Sequence, residues 1–166
     1  HDAGIGLPCG TFIVAIDIDI MEPETAAKVE REVLAIAGVS EAPVRTGRYP
    51  KRALIFRPEG HVVSRSKKWK DQAGNTHGLD ILASSVDGKS GKQIVAFGKH
   101  PDTGRAYVWR GGSPATVHRD ALPVLTPDMA SKILECLVKY GASSEHHAPT
   151  IPTTTPVVSI ARRSAT

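Results

Sequence analysis

Asp17 and Asp19 sit in the run Val14-Ala-Ile-Asp-Ile-Asp-Ile20, where every other residue is apolar. That composition reads as a buried β-strand. A strand repeats every two residues, so both carboxylates leave the same side of the sheet, about 6–7 Å apart. Two like charges in an apolar setting repel and lose hydration unless a cation lies between them. The simplest occupant is a divalent cation bound through oxygen, and Mg²⁺ or Mn²⁺ suits such an open site. The rival reading makes one Asp a helix cap and the other a solvated strand end; the apolar flanks speak against it. Asp80, in the apolar stretch Gly78-Leu-Asp-Ile-Leu-Ala83, supplies a third carboxylate. A two-metal site needs bridging acids from more than one strand, with the metals about 3.5–4 Å apart.

The second stretch with chemical potential is Ala42-Pro-Val-Arg-Thr-Gly-Arg-Tyr-Pro-Lys-Arg-Ala-Leu-Ile-Phe-Arg57. It predicts a short strand, a Gly/Pro loop, and a strand from about Arg52 to Arg57. Arg45, Arg48, Lys51, Arg52 and Arg57 put five cations into thirteen residues. Cations beside free amides in a turn fit a triphosphate. A solvated basic hairpin is an equal reading, since charge runs are usually surface. His100, just after a strand end, can hydrogen-bond a phosphate or sugar, or be a plain surface His. Lys67-Lys-Trp-Lys70 can contact a nucleic-acid backbone and stack on a base; an exposed hairpin tip with a packed Trp69 is the blander alternative.

These residues need elements to hold them. The 166 residues suffice for one domain with a core and a tail. The formal charge of +4 is compatible with a polyanionic partner. No apolar run can span a bilayer. Cys9 and Cys136 are far apart in sequence, without metal-type spacing, and read as reduced thiols in a cytosolic protein, which makes the expected location cytoplasmic. The chain opens His1-Asp2-Ala3-Gly4 without a starting Met, as expected of a fragment or processed piece.

Gly4-Ile-Gly-Leu-Pro-Cys-Gly-Thr11 leads into the first acidic strand. Its glycines precede a strand and open no helix, which excludes a dinucleotide-binding fingerprint. Met21 to Gly38 predicts an amphipathic helix, with Pro23 in its first turn, Ala26, Val29, Val33 and Ala37 on the apolar stripe, and Gly38 as the stop. Glu22, Glu24, Glu30 and Glu32 are expected on its solvated face. His61 to Ser66 reads as an edge strand. The strands 78–83 and 92–98, joined by a turn-rich segment, read as a hairpin. Tyr107 and Trp109 alternate on a last strand. Thr126 caps a helix with Pro127 in its first turn and Ile133, Leu134, Leu137 and Val138 facing the core. From Ser143 on, Ser, Thr and Pro dominate, so the expected division is a core at 1–142 and a linker or tail at 143–166.

With these residues in place, the chain resembles the primase-polymerase domain of the archaeo-eukaryotic primase superfamily in its phage and plasmid form. The stretches AIDIDI, RTGRYPKRALIFR, GLDILA and QIVAFGKHPDTGRAYVW carry the likeness, over roughly residues 4–126. The resemblance implies an α+β fold with a mixed or antiparallel sheet of the RNA-recognition-motif type and helices packed on one face. It also implies a nucleotidyltransferase using two divalent cations. By it, Asp17 and Asp19 match the first acidic motif and Asp80 the third. The family's middle motif usually offers a serine and a histidine to the incoming triphosphate. Here Thr46, Arg48, Lys51 and Arg52 occupy that region, with Arg52 nearest the histidine position. The likeness begins without the family's usual N-terminal module, so a truncated catalytic core is what the resemblance leads one to expect. The implied partners are nucleoside triphosphates, a single-stranded DNA template and a helicase following the tail.

Two rival readings accompany the enzyme. One is a module of the same fold that holds nucleotide or single-stranded DNA without catalysis. The other is a haloacid-dehalogenase-type phosphohydrolase with an Asp-x-Asp motif. The strand-rich middle of the chain argues against the alternating β-α units that hydrolase needs.

Overall fold

The computed structural model describes residues 4–142; the expected linker at 143–166 lies outside them. The strands are β1 (Ile5–Pro8), β2 (Val14–Asp19), β3 (Val44–Thr46), β4 (Arg52–Pro58), β5 (Arg65–Lys70), β6 (Thr76–Leu82), β7 (Gln93–Phe97), β8 (Val108–Arg110) and β9 (Val124–Leu125). The helices are α1 (Pro23–Ile36) and α2 (Pro127–Cys136), with 3₁₀ turns at Arg119–Ala121 and Leu137–Tyr140. Seven strands form the main sheet, in the order β5-β6-β2-β4-β3-β8, with β9 added beside β4. All its pairings are antiparallel except β4 with β9. The fold is α+β, as the sequence predicts.

The alternation in β2 divides the molecule. Val14, Ile16 and Ile18 are fully buried on one face, in a core shared with Val29 and Val33 of α1, Ile133 of α2, and Leu54, Phe56, Leu79 and Ile81 of the neighbouring strands. Each such fully buried side chain stabilises the fold by about 1.5–3 kcal/mol. Both helices pack on this face. The opposite face carries Ala15, Ala53 and Ile55, covered by Cys9, Ile94 and Leu122 in a smaller core. Ile94 belongs to a two-stranded ribbon of β1 and β7. The ribbon therefore covers the end of the second face that lacks the acids.

The helix ends follow their local chemistry. The Glu22 carboxylate accepts from the backbone N–H groups of Glu24 (2.9 Å) and Thr25 (2.5 Å), capping α1 ahead of Pro23. Gly38 adopts φ 70° just past the helix, where a side chain would be strained. Thr126 Oγ1 accepts from Met129 N at 3.2 Å and caps α2.

Four local expectations differ from the structure. The 78–83 and 92–98 strands do not pair as a hairpin: β6 lies between β2 and β5, and β7 pairs with β1. The edge strand is shifted from 61–66 to Arg65–Lys70, with Trp69 buried on it rather than packed at a tip. Val138 is exposed. Glu30 is buried, because Arg52 and Arg110 close over it from β4 and β8.

Candidate active site

Register brings the acids together. Asp17 pairs with Asp80 across the β2–β6 ladder and with Ala53 across the β2–β4 ladder. Ser66 faces Asp80, while Arg45 pairs with Ala53 and Trp109 with Arg45. Directly opposed residues share a face, so Ser66, Asp80, Asp17, Ala53, Arg45 and Trp109 form one row across six strands. Asp19 stands one step along, in a second row with Gly78 and Lys68. Asp80 is thus on the same face as the opening pair, its nearest cross-strand neighbour being Asp17.

The electrostatics follow from the rows. Burial pushes the Asp17 carboxyl up to about 6; Asp80 and Asp19 add to the rise, while Arg45 and Lys51 oppose it. Asp19 is met by the Lys51 ammonium in an ion pair. Asp80 Oδ1 accepts a hydrogen bond from the Ser66 hydroxyl. In both cases a neighbour compensates a carboxylate that the other acids crowd.

A polar cavity of about 190 Å³ opens beside Asp17 and Asp19 toward the loop between β3 and β4. Arg45, Arg48 and Lys51 line its cationic side, with the His100 ring beside them. Arg48 meets Asp102 at 3.4 Å, an exposed pair of little energetic weight. His100 Nδ1 accepts from Asp102 N at 3.2 Å, and its ring lies 5.7 Å from that of Tyr107. Gly47 makes this packing possible: a Cβ there would collide with the rings of Tyr107 and His100. The loop backbone can approach them only because the side chain is absent.

Of the residues expected at the site, Asp17, Asp19, Asp80, Arg48, Lys51 and His100 gather on this face. Two do not present their polar groups to it. Arg52 contributes to the cavity wall, but its guanidinium bonds Glu30 and its Nε donates to Pro50 O at 2.9 Å. The reason is parity: Arg52 pairs with Ile18, one step off the acid row. Thr46 follows Arg45 on β3 and so points away from the acid face, and it is not part of the cavity wall.

Arg45 is the residue that the motif reading passed over. Its Nη1 donates to Val95 O at 2.5 Å and its guanidinium lies 4.5 Å from the Tyr107 ring centroid. Its Nε is buried without a partner. A guanidinium held by a carbonyl and a ring, with one N–H unused, is a fixed positive charge beside Asp17. Strand parity on β3 was the available signal, but it needed the register to β4.

Whether the acids fit divalent cations rests on the donor set. Three carboxylates from two adjacent strands are hard oxygen ligands, which suit Mg²⁺ or Mn²⁺. Among the described residues no group of three or more His, Cys, Asp or Glu side chains is placed to hold a metal ion. An open set of this kind leaves positions for water and substrate oxygens, which Mg²⁺ favours.

The family model for the N-terminal domain of bifunctional DNA primase/polymerases, Prim-Pol, matches residues 1–125. The chain belongs to this family. The match includes every acid and cation of the site, and leaves out α2, which packs on the far face of the sheet. Neither the curated proteins nor the solved structures contain a match. Prim-Pol membership assigns the chain in general terms to DNA primase/polymerases, and so to nucleotidyl transfer. No helix among the described residues is long and apolar enough to cross a membrane.

Proposed function

We propose that this Prim-Pol domain joins nucleotides on a single-stranded DNA template, with Asp17, Asp19 and Asp80 as ligands for Mg²⁺ or Mn²⁺. The observation that carries the reading is the cross-strand pairing of Asp17 with Asp80. Bound there, the cations would supply Lewis-acid activation of a 3′-hydroxyl and neutralise the charge of a triphosphate. The chain's own residues supply position and charge. Arg45 favours the ionised form of Asp17 in a setting that otherwise protonates it. Arg48, Lys51 and His100 face the cavity where phosphate oxygens would lie. Lys51 would exchange Asp19 for phosphate when substrate enters. Arg52, through Pro50 O, holds the end of the loop that carries Lys51. The proposed setting is phage or plasmid replication in the cytoplasm, with a helicase beyond a tail at 143–166.

One observation favours a second reading, a nucleotide- or single-stranded-DNA-binding module without catalysis. Arg52, nearest the usual middle-motif histidine, spends its guanidinium on Glu30 instead of facing the acids. Polymerisation with labelled dNTP and NTP, in Mg²⁺ and in Mn²⁺, with and without primer, separates the two. Product formation that disappears in Asp17→Ala and Asp80→Ala, both still folded, supports the enzyme. Nucleotide binding by calorimetry without any turnover supports the module. Full activity in both variants refutes the role given to the acids.

A further inference from the structure

The cavity accounts for one side of the acids only. On the other side, β6 and the edge strand β5 continue the same face with Ser66, Lys68 and Lys70, all three exposed. Among the described residues neither lysine has a carboxylate partner. The neighbouring face-down residues, Lys67 and Trp69, are used by the helix side: Lys67 Nζ donates to Leu134 O at 3.4 Å and Trp69 is buried. Between Lys68 and Asp19 lies Gly78, which has no side chain. A Cβ there would sit 3.5 Å from Lys68 Cγ and 3.7 Å from Asp19 Cβ. The row Lys68-Gly78-Asp19 is therefore a trough with a bare backbone floor, basic at its outer end and acidic at its inner end.

The chemistry fixes what could use it. In nucleotidyl transfer the 3′-oxygen bonds to the α-phosphorus as the bridging bond to the β-phosphate breaks. Pyrophosphate leaves, and the hydroxyl proton passes to solvent. The attacking and leaving oxygens lie roughly in line, on opposite sides of the phosphorus. The leaving phosphates belong with Arg48, Lys51 and His100, on the β3–β4 side. The attacking strand must then arrive from the β6–β5 side. We infer that the Lys68/Lys70 strip of β5 seats the backbone of the growing strand, delivering its 3′ end over Gly78 to the acids. This rests on the nucleotidyl-transfer reading above, and adds the surface and the direction of approach.

The test uses the full chain and a fluorescently labelled primer–template with a recessed 3′ end. Anisotropy is read in EDTA over a range of salt, so no turnover is involved. Lys68→Gln/Lys70→Gln is expected to weaken binding about tenfold and to flatten the salt dependence by about 1–2 in log–log slope. Nucleotide affinity in Mn²⁺, measured by calorimetry, stays at the wild-type value. Gly78→Val, which fills the trough without changing charge, is expected to raise the KM for primer at least fivefold and leave the KM for nucleotide alone. Unchanged primer–template affinity in the lysine variant overturns the inference, as does a parallel loss of nucleotide affinity. If Asp17→Ala still polymerises while the lysine variant loses strand binding, the role of the acids falls and the strand surface stands.

Discussion

Replacing Asp17 by Asn should stabilise the metal-free protein while destroying its proposed chemistry. The Asp17 carboxyl is pushed from 3.8 up to about 6, first by burial and then by Asp80 and Asp19, with Arg45 opposing. A raised carboxyl retains its proton in the folded state after the unfolded chain has released it. Folding is then favoured below pH 3.8, and that advantage is lost as pH rises through about 6. At about 1.4 kcal/mol per pH unit, the full penalty of ionising Asp17 in place is about 3 kcal/mol. Asn cannot ionise and escapes it. Urea unfolding in EDTA is therefore expected to show Asp17→Asn more stable than wild type by about 2–3 kcal/mol at pH 7.5, with the gap closing toward pH 4. Mn²⁺ should narrow the gap at pH 7.5, because ligand at a hundred times its Kd adds about 2.7 kcal/mol to the form that binds it. Equal stability of the two proteins at pH 7.5 in EDTA would show that Asp17 is not electrostatically strained and would undo the argument from crowding.

Two further perturbations test what supports the site. Glu30→Gln leaves Arg52 nearly buried and without its counter-charge, so unfolding should become easier by about 3 kcal/mol, whereas Arg110→Gln, at the exposed end of the same cluster, should lose less than about 1 kcal/mol; chemical denaturation of both variants reads the contrast. Gly47→Ala forces the loop away from Tyr107 and His100, and calorimetry should show nucleotide affinity down at least tenfold with a stability loss of about 1–3 kcal/mol; wild-type affinity would mean that the loop does not form the phosphate side of the cavity.

Much of this was legible in the chain because it is written at short range. The two-residue period put Asp17 and Asp19 on one side of β2, and Pro23, Gly38 and Thr126 marked helix ends by their own backbone chemistry. What escaped was set by partners distant in sequence. Adjacency and a turn-rich connection suggested that β6 and β7 pair, yet β7 finds β1, some ninety residues upstream. Glu30 lies on what looks like the polar stripe of α1, and only the arrival of Arg52 and Arg110 buries it. Arg52 and Arg45 are both cations in one basic stretch. Which of them faces the acids depends on the β3–β4–β2 register, which no local pattern encodes. The same register explains why the Arg52 guanidinium turns to Glu30 even though the residue lines the cavity.

β2 is hydrogen-bonded along both edges, to β4 and to β6, and packed on both faces. Its amides are expected to be among the slowest to exchange, which hydrogen-exchange measurements would read. Asp17 and Asp19 are thus mounted on this doubly paired strand and Asp80 on its neighbour β6, while Lys51 and Arg48 ride on a connecting loop. In the proposed two-metal reading, ions of different radius would meet a floor of paired strands beneath them and a loop wall at their side. On that reading, discrimination among them would fall to that wall and to the substrate oxygens.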